Sequence, residues 1–345
     1  MERGAGQADH GERMAATNGS NGEAVNGSNG GAVGAEDASP LGAYAMLAGS
    51  MLIVGLCVTL GKLATLHMPV VALAGVRCLA AMAALLPLAL REAEGASGLR
   101  RTLGAVRGRD RLDLVGQSLF GVVLFTLLML GGVRLTSATD AGLIAATMPL
   151  AILVLAWPLL GERPRARAGL AGLLGTGGIA LLTLTAGSEA SARALGNLLV
   201  VGAVGAEALY AILAKRLAVR IPPAAMALAM NAIGLALFAP LLAFQPWGML
   251  LVAVPGWAWA VGALYGVLTS ALALILWYRG ARAVAGATAG LFTALLPVGA
   301  VISAAILLGE AVTGRHALGG TVILAALALG LHRGRAAPMG GRPRA

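Results

Sequence analysis

The chain has 345 residues, a length that in a water-soluble protein would suggest two domains. Its composition excludes that reading: 58% of residues are hydrophobic and only 12% charged, where an ordinary soluble domain carries roughly 25% charge. A net charge of +10 would point to nucleic acid, but the basic residues sit in short loops between apolar runs, the pattern of membrane topology. The expected surroundings are therefore a lipid bilayer, with no nucleic acid.

Residues 1–40 are rich in Asn, Gly, Ser and Ala, with NGSNG at 18–22 and again at 26–30. Such a segment buries too little apolar surface to order itself, so a disordered tail is expected. The first apolar run begins only after Pro40, too late for a cleavable signal peptide. A spanning helix needs about 20 residues, because the hydrocarbon core is about 30 Å thick and the rise about 1.5 Å per residue. Ten such runs can be marked: 41–61, 69–90, 112–132, 138–160, 168–186, 194–214, 223–244, 257–278, 284–308 and 315–331. Residues 332–345 form a basic, Gly- and Pro-rich tail. The 50 glycines fit close helix packing in lipid. Cys57 and Cys78 fall inside apolar runs and read as small packing residues rather than a disulfide.

With the N-terminus placed in the cytoplasm, 20 of the 25 Lys and Arg residues fall in cytoplasmic segments and four in outer loops, the remaining one being Arg77 inside the second run. That bias predicts both termini cytoplasmic. Aromatic residues agree: Trp247, Trp257 and Trp259 gather at the outer face, and Tyr44, Trp157, Trp277 and Tyr278 at the inner one, as interfacial anchors.

The chain also repeats itself. Aligned without gaps, 132–182 and 280–330 share 17 of 51 positions, including Arg134/Arg282, Gly142/Gly290, Pro149/Pro297, Gly161/Gly309, Glu162/Glu310 and Gly172/Gly320. Upstream, Lys62 lies opposite Lys215, Pro69 opposite Pro223 and Arg77 opposite Asn231. The expected fold is an all-α membrane protein whose ten transmembrane helices form two five-helix repeats, 41–186 and 194–331. Five is odd, so the second copy enters the membrane from the opposite side. Inverted topology underlies alternating access in several secondary-transporter folds.

Helix 4 with its following loop reads ATDAGLIAATMPLAILVLAWPLLGERPRARAGLAG, and helix 9 reads AGATAGLFTALLPVGAVISAAILLGEAVTGRHALGG. Both resemble the signature of the EamA-type drug/metabolite transporter family: small residues, a mid-helix Pro, then L-L-G-E and a Gly-containing helix. Arg77, in PVVALAGVRCLAAMAALLPLAL, resembles the arginine often seen in that family's second helix. The similarity spans about 40–331 and implies a ten-helix, two-repeat carrier. Two departures stand out: Met51 where a Trp is common, and Glu207 where a Trp or small residue is usual.

Candidate site residues are the polar groups at membrane depth. Arg77 lies roughly 12 Å from the outer end of its helix by the helical rise. It reads either as a carboxylate contact, since guanidinium binds carboxylate bidentately, or as a structural tie to backbone carbonyls or to Glu207. Glu207, about 10 Å from the cytoplasmic end of helix 6, reads either as a carrier of the coupling proton or as a partner of Lys215, Arg216 or Arg77. Arg77 and Glu207 together would suit a zwitterion. Asn231 reads as an interhelical hydrogen-bond donor or a ligand contact, and Tyr210 and Tyr265 are secondary candidates. Pro149 and Pro297 predict helix kinks that free the carbonyls of Ala145 and Thr293. The segments Ala138-x-x-x-Gly142 and Gly286-x-x-x-Gly290 predict close packing.

Glu162 and Glu310 follow Gly at helix C-termini, where the dipole disfavours anions. They read as loop ion pairs with Arg163, Arg165 or Arg315. Asp140 reads as a dipole partner at the start of helix 4.

There is no G-x-x-x-x-G-K-[ST], H-E-x-x-H or G-x-S-x-G, and His10, His67, His316 and His332 are scattered. No metal, no cofactor and no enzymatic chemistry is expected. The sequence therefore predicts a secondary transporter moving small polar metabolites or drugs across the cytoplasmic membrane, by export, with a small-molecule substrate and a proton as its partners; it is also compatible with a homodimer. A channel-like facilitator is the alternative, and a polytopic membrane enzyme a more distant one.

Overall fold

The computed structural model describes residues 40–160, 166–183, 190–217, 221–284, 292–293 and 295–331. Both tails, Glu162, Arg163, Arg165, Gly286 and Gly290 lie outside the described residues, as do the side chains of Lys215 and Arg216. Every element among the described residues is helical.

The helices are α1 (Pro40–Thr65), α2 (Val70–Glu92), α3 (Ala96–Gly104), α4 (Arg109–Leu135), α5 (Ala138–Ala145), α6 (Met148–Leu160), α7 (Ala166–Thr183), α8 (Ala190–Leu217), α9 (Pro223–Ala243), α10 (Trp247–Ala253), α11 (Gly256–Ala281), α12 (Leu295–Leu308) and α13 (Gly314–Leu331). Among the described residues six helices are long and apolar enough to cross a bilayer: α1, α2, α4, α8, α9 and α11. The apolar parts of α7 and α12, Leu170–Leu182 and Leu295–Leu308, are shorter.

The run expected as one helix over 138–160 is two helices. Ser137 caps α5 by accepting from the Asp140 backbone N–H at 2.8 Å. The helix stops at Ala145, and α6 restarts at Met148. Pro149 is then the second residue of α6, where its missing N–H costs nothing because first-turn N–H groups have no intrahelical acceptor. Thr147 bridges the break, donating from both its N–H and its hydroxyl to the Ile144 carbonyl, at 2.9 and 2.7 Å. Pro297 likewise sits in the first turn of α12 rather than at mid-helix. The Thr293 carbonyl, expected to be freed, accepts from Leu296 N–H at 3.2 Å.

The helices interlock between repeats. α1 packs on α11 and α12, while its repeat counterpart α8 packs on α4, α5 and α6. α2 packs on its own counterpart α9, and α7 on its counterpart α13. Exchanging the two halves therefore reproduces the packing pattern. With no hydrophobic gain between helices in lipid, such contacts depend on small residues and interhelical hydrogen bonds. Gly132 of α4 and Gly196 of α8 face each other so closely that a Cβ on either would lie 2.8–2.9 Å from the other's carbonyl oxygen. Ser50 of α1 donates to the Ala273 carbonyl of α11 at 2.8 Å, and the hydroxyls of Thr59 (α1) and Ser303 (α12) meet at 2.7 Å.

Both α4 and α11, third in their repeats, contain a π-helical turn, Leu119–Leu124 and Leu268–Leu272. Single π turns inside α-helices are frequent at functional sites, and Thr269 of the second lines a cavity walled by both repeats.

Candidate functional site

Arg77 is in the interior, 6% exposed. Its Nη1 donates to the Thr126 hydroxyl of α4 at 3.0 Å, and its guanidinium carbon lies 5.8 Å from the centre of the Tyr265 ring. Gly266, beside Tyr265, lets the α11 backbone press on Arg77: a Cβ there would fall 2.9 Å from the Arg77 Cα. The arginine is thus clamped between α4 and α11, held by a hydroxyl and an aromatic face. Among the described residues no ion pair joins it to Glu207 or any other carboxylate, and its Nε has no hydrogen-bond partner.

Glu207 and Tyr265 both line a central cavity of about 100 Å³. Its walls come from α1 (Cys57, Gly61), α4 (Phe125), the α5–α6 break (Ala145, Met148), α8, α11 and α12 (Leu296). Both repeats therefore contribute, and Glu207 is the one carboxylate in a mostly apolar wall that also holds Tyr265 and Thr269. A liquid water occupies about 30 Å³, so the cavity suits a few waters or a small ion in this conformation. Thr269, also in the wall, donates its hydroxyl to the Tyr265 carbonyl at 2.8 Å beside the π turn.

The remaining expected residues lie apart. Tyr210 packs its ring on Gly121 within the α4 π turn, so close that a Cβ there would approach it to 2.8 Å. Asn231 is buried but turns back on its own helix, donating to the Ala227 carbonyl at 2.8 Å, while its Oδ1 finds no partner among the described residues. Among the described residues the expected cross-helix bond is therefore not made.

A second polar centre, unforeseen as a unit, lies where α1 and α4 end and α5 and α13 begin. Glu310 accepts at Oε1 from Lys62 Nζ (3.0 Å) and Ala138 N–H (2.8 Å), and at Oε2 from the N–H and hydroxyl of Thr139, both at 3.0 Å. Glu310 is thus a carboxylate on the N-terminus of α5, where the helix dipole favours an anion, and its ion partner is Lys62, not Arg315. Burial alone would raise its pKa, but the backbone N–H groups of Ala138 and Thr139 and the Lys62 ammonium hold it below the ordinary carboxylate range.

Arg315 instead reaches Asp140. Asp140 is fully buried, with Arg315 Nη2 3.4 Å from Oδ2 and His316 Nε2 3.2 Å from Oδ1. The Asp140 backbone N–H is capped by Ser137, while its carboxylate, in the first turn of α5, lies against Arg315 and His316 of the other repeat. Thr313 N–H donates to His316 Nδ1 at 3.0 Å, and His316 Nε2 lies 3.2 Å from Asp140 Oδ1 and 3.3 Å from Arg315 Nη2. Lys62 also donates to the Thr136 carbonyl, and Thr136 meets Asn197 of α8 at 2.6 Å. The sequence signal was present in the Lys62/Lys215 and Glu162/Glu310 repeat mates, but the 248-residue separation of Lys62 and Glu310 hid their pairing.

The EamA-like transporter family model matches the chain twice, over residues 41–184 and 194–331. A Bacillus subtilis (strain 168) protein named uncharacterized transporter YetK is 33% identical over 282 residues, covering 81% of this chain and 83% of that protein. A crystal structure described only as that of a protein superposes with a TM-score of 0.57 at 20% identity, over 82% of this chain and 95% of the other. At that identity it shows a shared fold alone.

Proposed function

The chain belongs to the EamA-like transporter family and is a membrane transporter; from that premise we propose that it is a secondary carrier exporting small polar metabolites or drugs by alternating access. In this reading ten helices span the cytoplasmic membrane as two inverted repeats, with both termini in the cytoplasm. The protein performs no bond chemistry on its substrate.

The observation that carries the reading is the central cavity, walled by helices of both repeats and holding one carboxylate, Glu207, beside Tyr265, whose ring faces Arg77. A site between two interlocked, exchangeable halves can be opened from either end by small sliding of one half on the other. Ionisable groups at this depth mark substrate paths and proton relays. Arg77 supplies the anion contact and Glu207 the proton-carrying carboxyl.

Counterflow and pH-driven uptake in proteoliposomes test this. Arg77→Ala is expected to abolish transport while leaving membrane insertion intact. Arg77→Lys does not restore it fully, because an ammonium lacks the planar fork. Glu207→Gln stops gradient-driven accumulation but permits exchange, since the amide mimics a permanently protonated carboxyl. Flux without counterflow or saturation would instead indicate a channel-like facilitator.

A further inference from the structure

Two buried amides, Gln117 of α4 and Asn231 of α9, are not satisfied by the fold. Gln117 has no exposed surface, and neither its Oε1 nor its Nε2 has a hydrogen-bond partner among the described residues. Asn231 is 4% exposed, and its Oδ1 is likewise unpartnered there. The Ala227 carbonyl fixes its Nδ2, so the atom left over is an acceptor. Both helices start at the end of the bundle where α2 finishes. α4 follows α3 directly, and the Ala224 N–H at the start of α9 donates to Oε2 of Glu92, the last residue of α2, at 2.8 Å. Gln117 and Asn231 each lie eight residues along, about 12 Å by the helical rise. α9 packs on α4, and a Cβ on Gly234 would fall 2.5 Å from Val122, so the two amides stand at one level of one interface. The cluster around that level is apolar, with Leu114 and Val122 from α4 and Ala227 and Met230 from α9.

The repeat relates this level to the central site. Asn231 is the counterpart of Arg77, and the same offset that relates Arg134 to Arg282 carries Gln117 onto Tyr265. The Arg77 guanidinium meets the Tyr265 ring at 5.8 Å between α2 and α11, and α9 and α4 are the counterparts of those two helices. The amides are therefore the second copy of the Arg77–Tyr265 pair, with hydrogen-bonding groups in place of a cation and a ring.

We propose that Gln117 and Asn231 form a second solute subsite, one for a primary carboxamide, reached when the α3 end of the bundle opens. A carboxamide offers what the pair lacks. Its carbonyl accepts from Gln117 Nε2, one of its N–H groups donates to Gln117 Oε1, and the other donates to Asn231 Oδ1. A carboxylate has no hydrogen to give to either oxygen, and an ammonium has no acceptor for Nε2. The opening rests on the alternating-access reading; the recognition does not.

Thiol labelling of the full chain in phosphatidylcholine nanodiscs tests this. With Cys57→Ala and Cys78→Ala replacing its two cysteines, the chain carries one reporter thiol, Val122→Cys, which keeps both amides. The charged reagent MTS-ethyltrimethylammonium is expected to react there, and acetamide to slow the reaction severalfold and saturably. N,N-dimethylacetamide, which has no N–H, does not protect. Gln117→Met removes two hydrogen bonds and raises the acetamide concentration needed by about tenfold or more; Asn231→Leu raises it by less. The ligand-free unfolding midpoint of Gln117→Met stays at or above the wild-type value, because an unpaired amide gives way to an apolar chain of similar length. A Val122→Cys thiol that never reacts, or reacts unprotected by acetamide, overturns the proposal. So does equal protection by N,N-dimethylacetamide, or protection that survives Gln117→Met together with Asn231→Leu. A lowered midpoint in Gln117→Met makes Gln117 a structural tie and also overturns it. Counterflow that persists while protection fails defeats the subsite alone; protection that persists while counterflow fails defeats the carrier reading instead.

Discussion

Glu310 ties the two repeats together at one end of the bundle, and removing its carboxylate gives a quantitative test. Glu310→Ala deletes four hydrogen bonds and leaves the N–H groups of Ala138 and Thr139 and one contact of Lys62 without acceptors. Loss of an N-terminal cap costs about 1 kcal/mol. Breaking a buried ion pair costs about 3–5 kcal/mol, but Lys62 and Glu310 keep 18% and 15% of their side-chain surface, and Lys62 retains the Thr136 carbonyl. The combined loss should therefore be about 2–4 kcal/mol. Chemical unfolding in detergent, with Lys62→Met and the double variant, measures it. The two single changes should overlap, so that the double costs clearly less than their sum. The sign of the pH dependence is fixed as well. A folded pKa depressed below 4.5 means that the Glu310 contribution is complete above the unfolded value and is lost as pH falls through the folded one. Wild-type stability should thus decline below about pH 4.5 through this group, and that component should vanish in Glu310→Ala. Wild-type stability in Glu310→Ala, or strict additivity with Lys62→Met, would refute the joint.

Gly266→Leu should destabilise the fold and displace Arg77, because a Cβ there already meets the Arg77 backbone; a lowered unfolding midpoint with lost transport checks this. Thr126→Val removes the hydroxyl on Arg77 Nη1 and should cost about 1.5–3 kcal/mol, the range for hydrogen bonds to charged groups, visible as a shifted denaturation midpoint. Reporter fusions at Gly104 and Gly340 should read cytoplasmic and one near Trp247 external; an external reading at Gly104 would overturn the topology.

Membrane character, the helical fold and the two-repeat outline were legible because composition and 20-residue apolar runs depend on the bilayer rather than on tertiary contacts. The interior position of Arg77 was legible for a related reason, as insertion cost disfavours a charge facing lipid. Its actual partners, Thr126 and Tyr265, were not, because a hydroxyl and a ring carry no charge signature in an apolar helix. The break before Pro149 was misread as a kink within one helix. A proline marks a weak point, and at the break Thr147 closes the turn through its N–H and its hydroxyl. Asn231 shows the limit of repeat logic: it occupies the position opposite Arg77 yet bonds to its own helix. Glu310 was placed at the C-terminus of its own helix, where sequence proximity put it. Only folding brought it to the N-terminus of another.

Two of the buried carboxylates, Glu310 and Glu207, can be ranked as proton sites by their surroundings. Glu310 receives two backbone N–H groups, a hydroxyl and an ammonium, all of which favour the charged form. At neutral pH it stays ionised, and protonating it means breaking the joint it holds. Glu207 stands in an apolar cavity with no ion pair among the described residues, so its proton can be exchanged without dismantling a network. On the alternating-access reading, opening the Glu310 end must be driven by a ligand that binds the open form better, by at least the few kcal/mol the joint contributes. A proton delivered to Glu310 cannot supply that energy in the physiological range. On the proposed proton-coupled reading, coupling is assigned to Glu207 in the central cavity, and Glu310 to the role of a lock whose strength sets how large the differential affinity of the substrate must be.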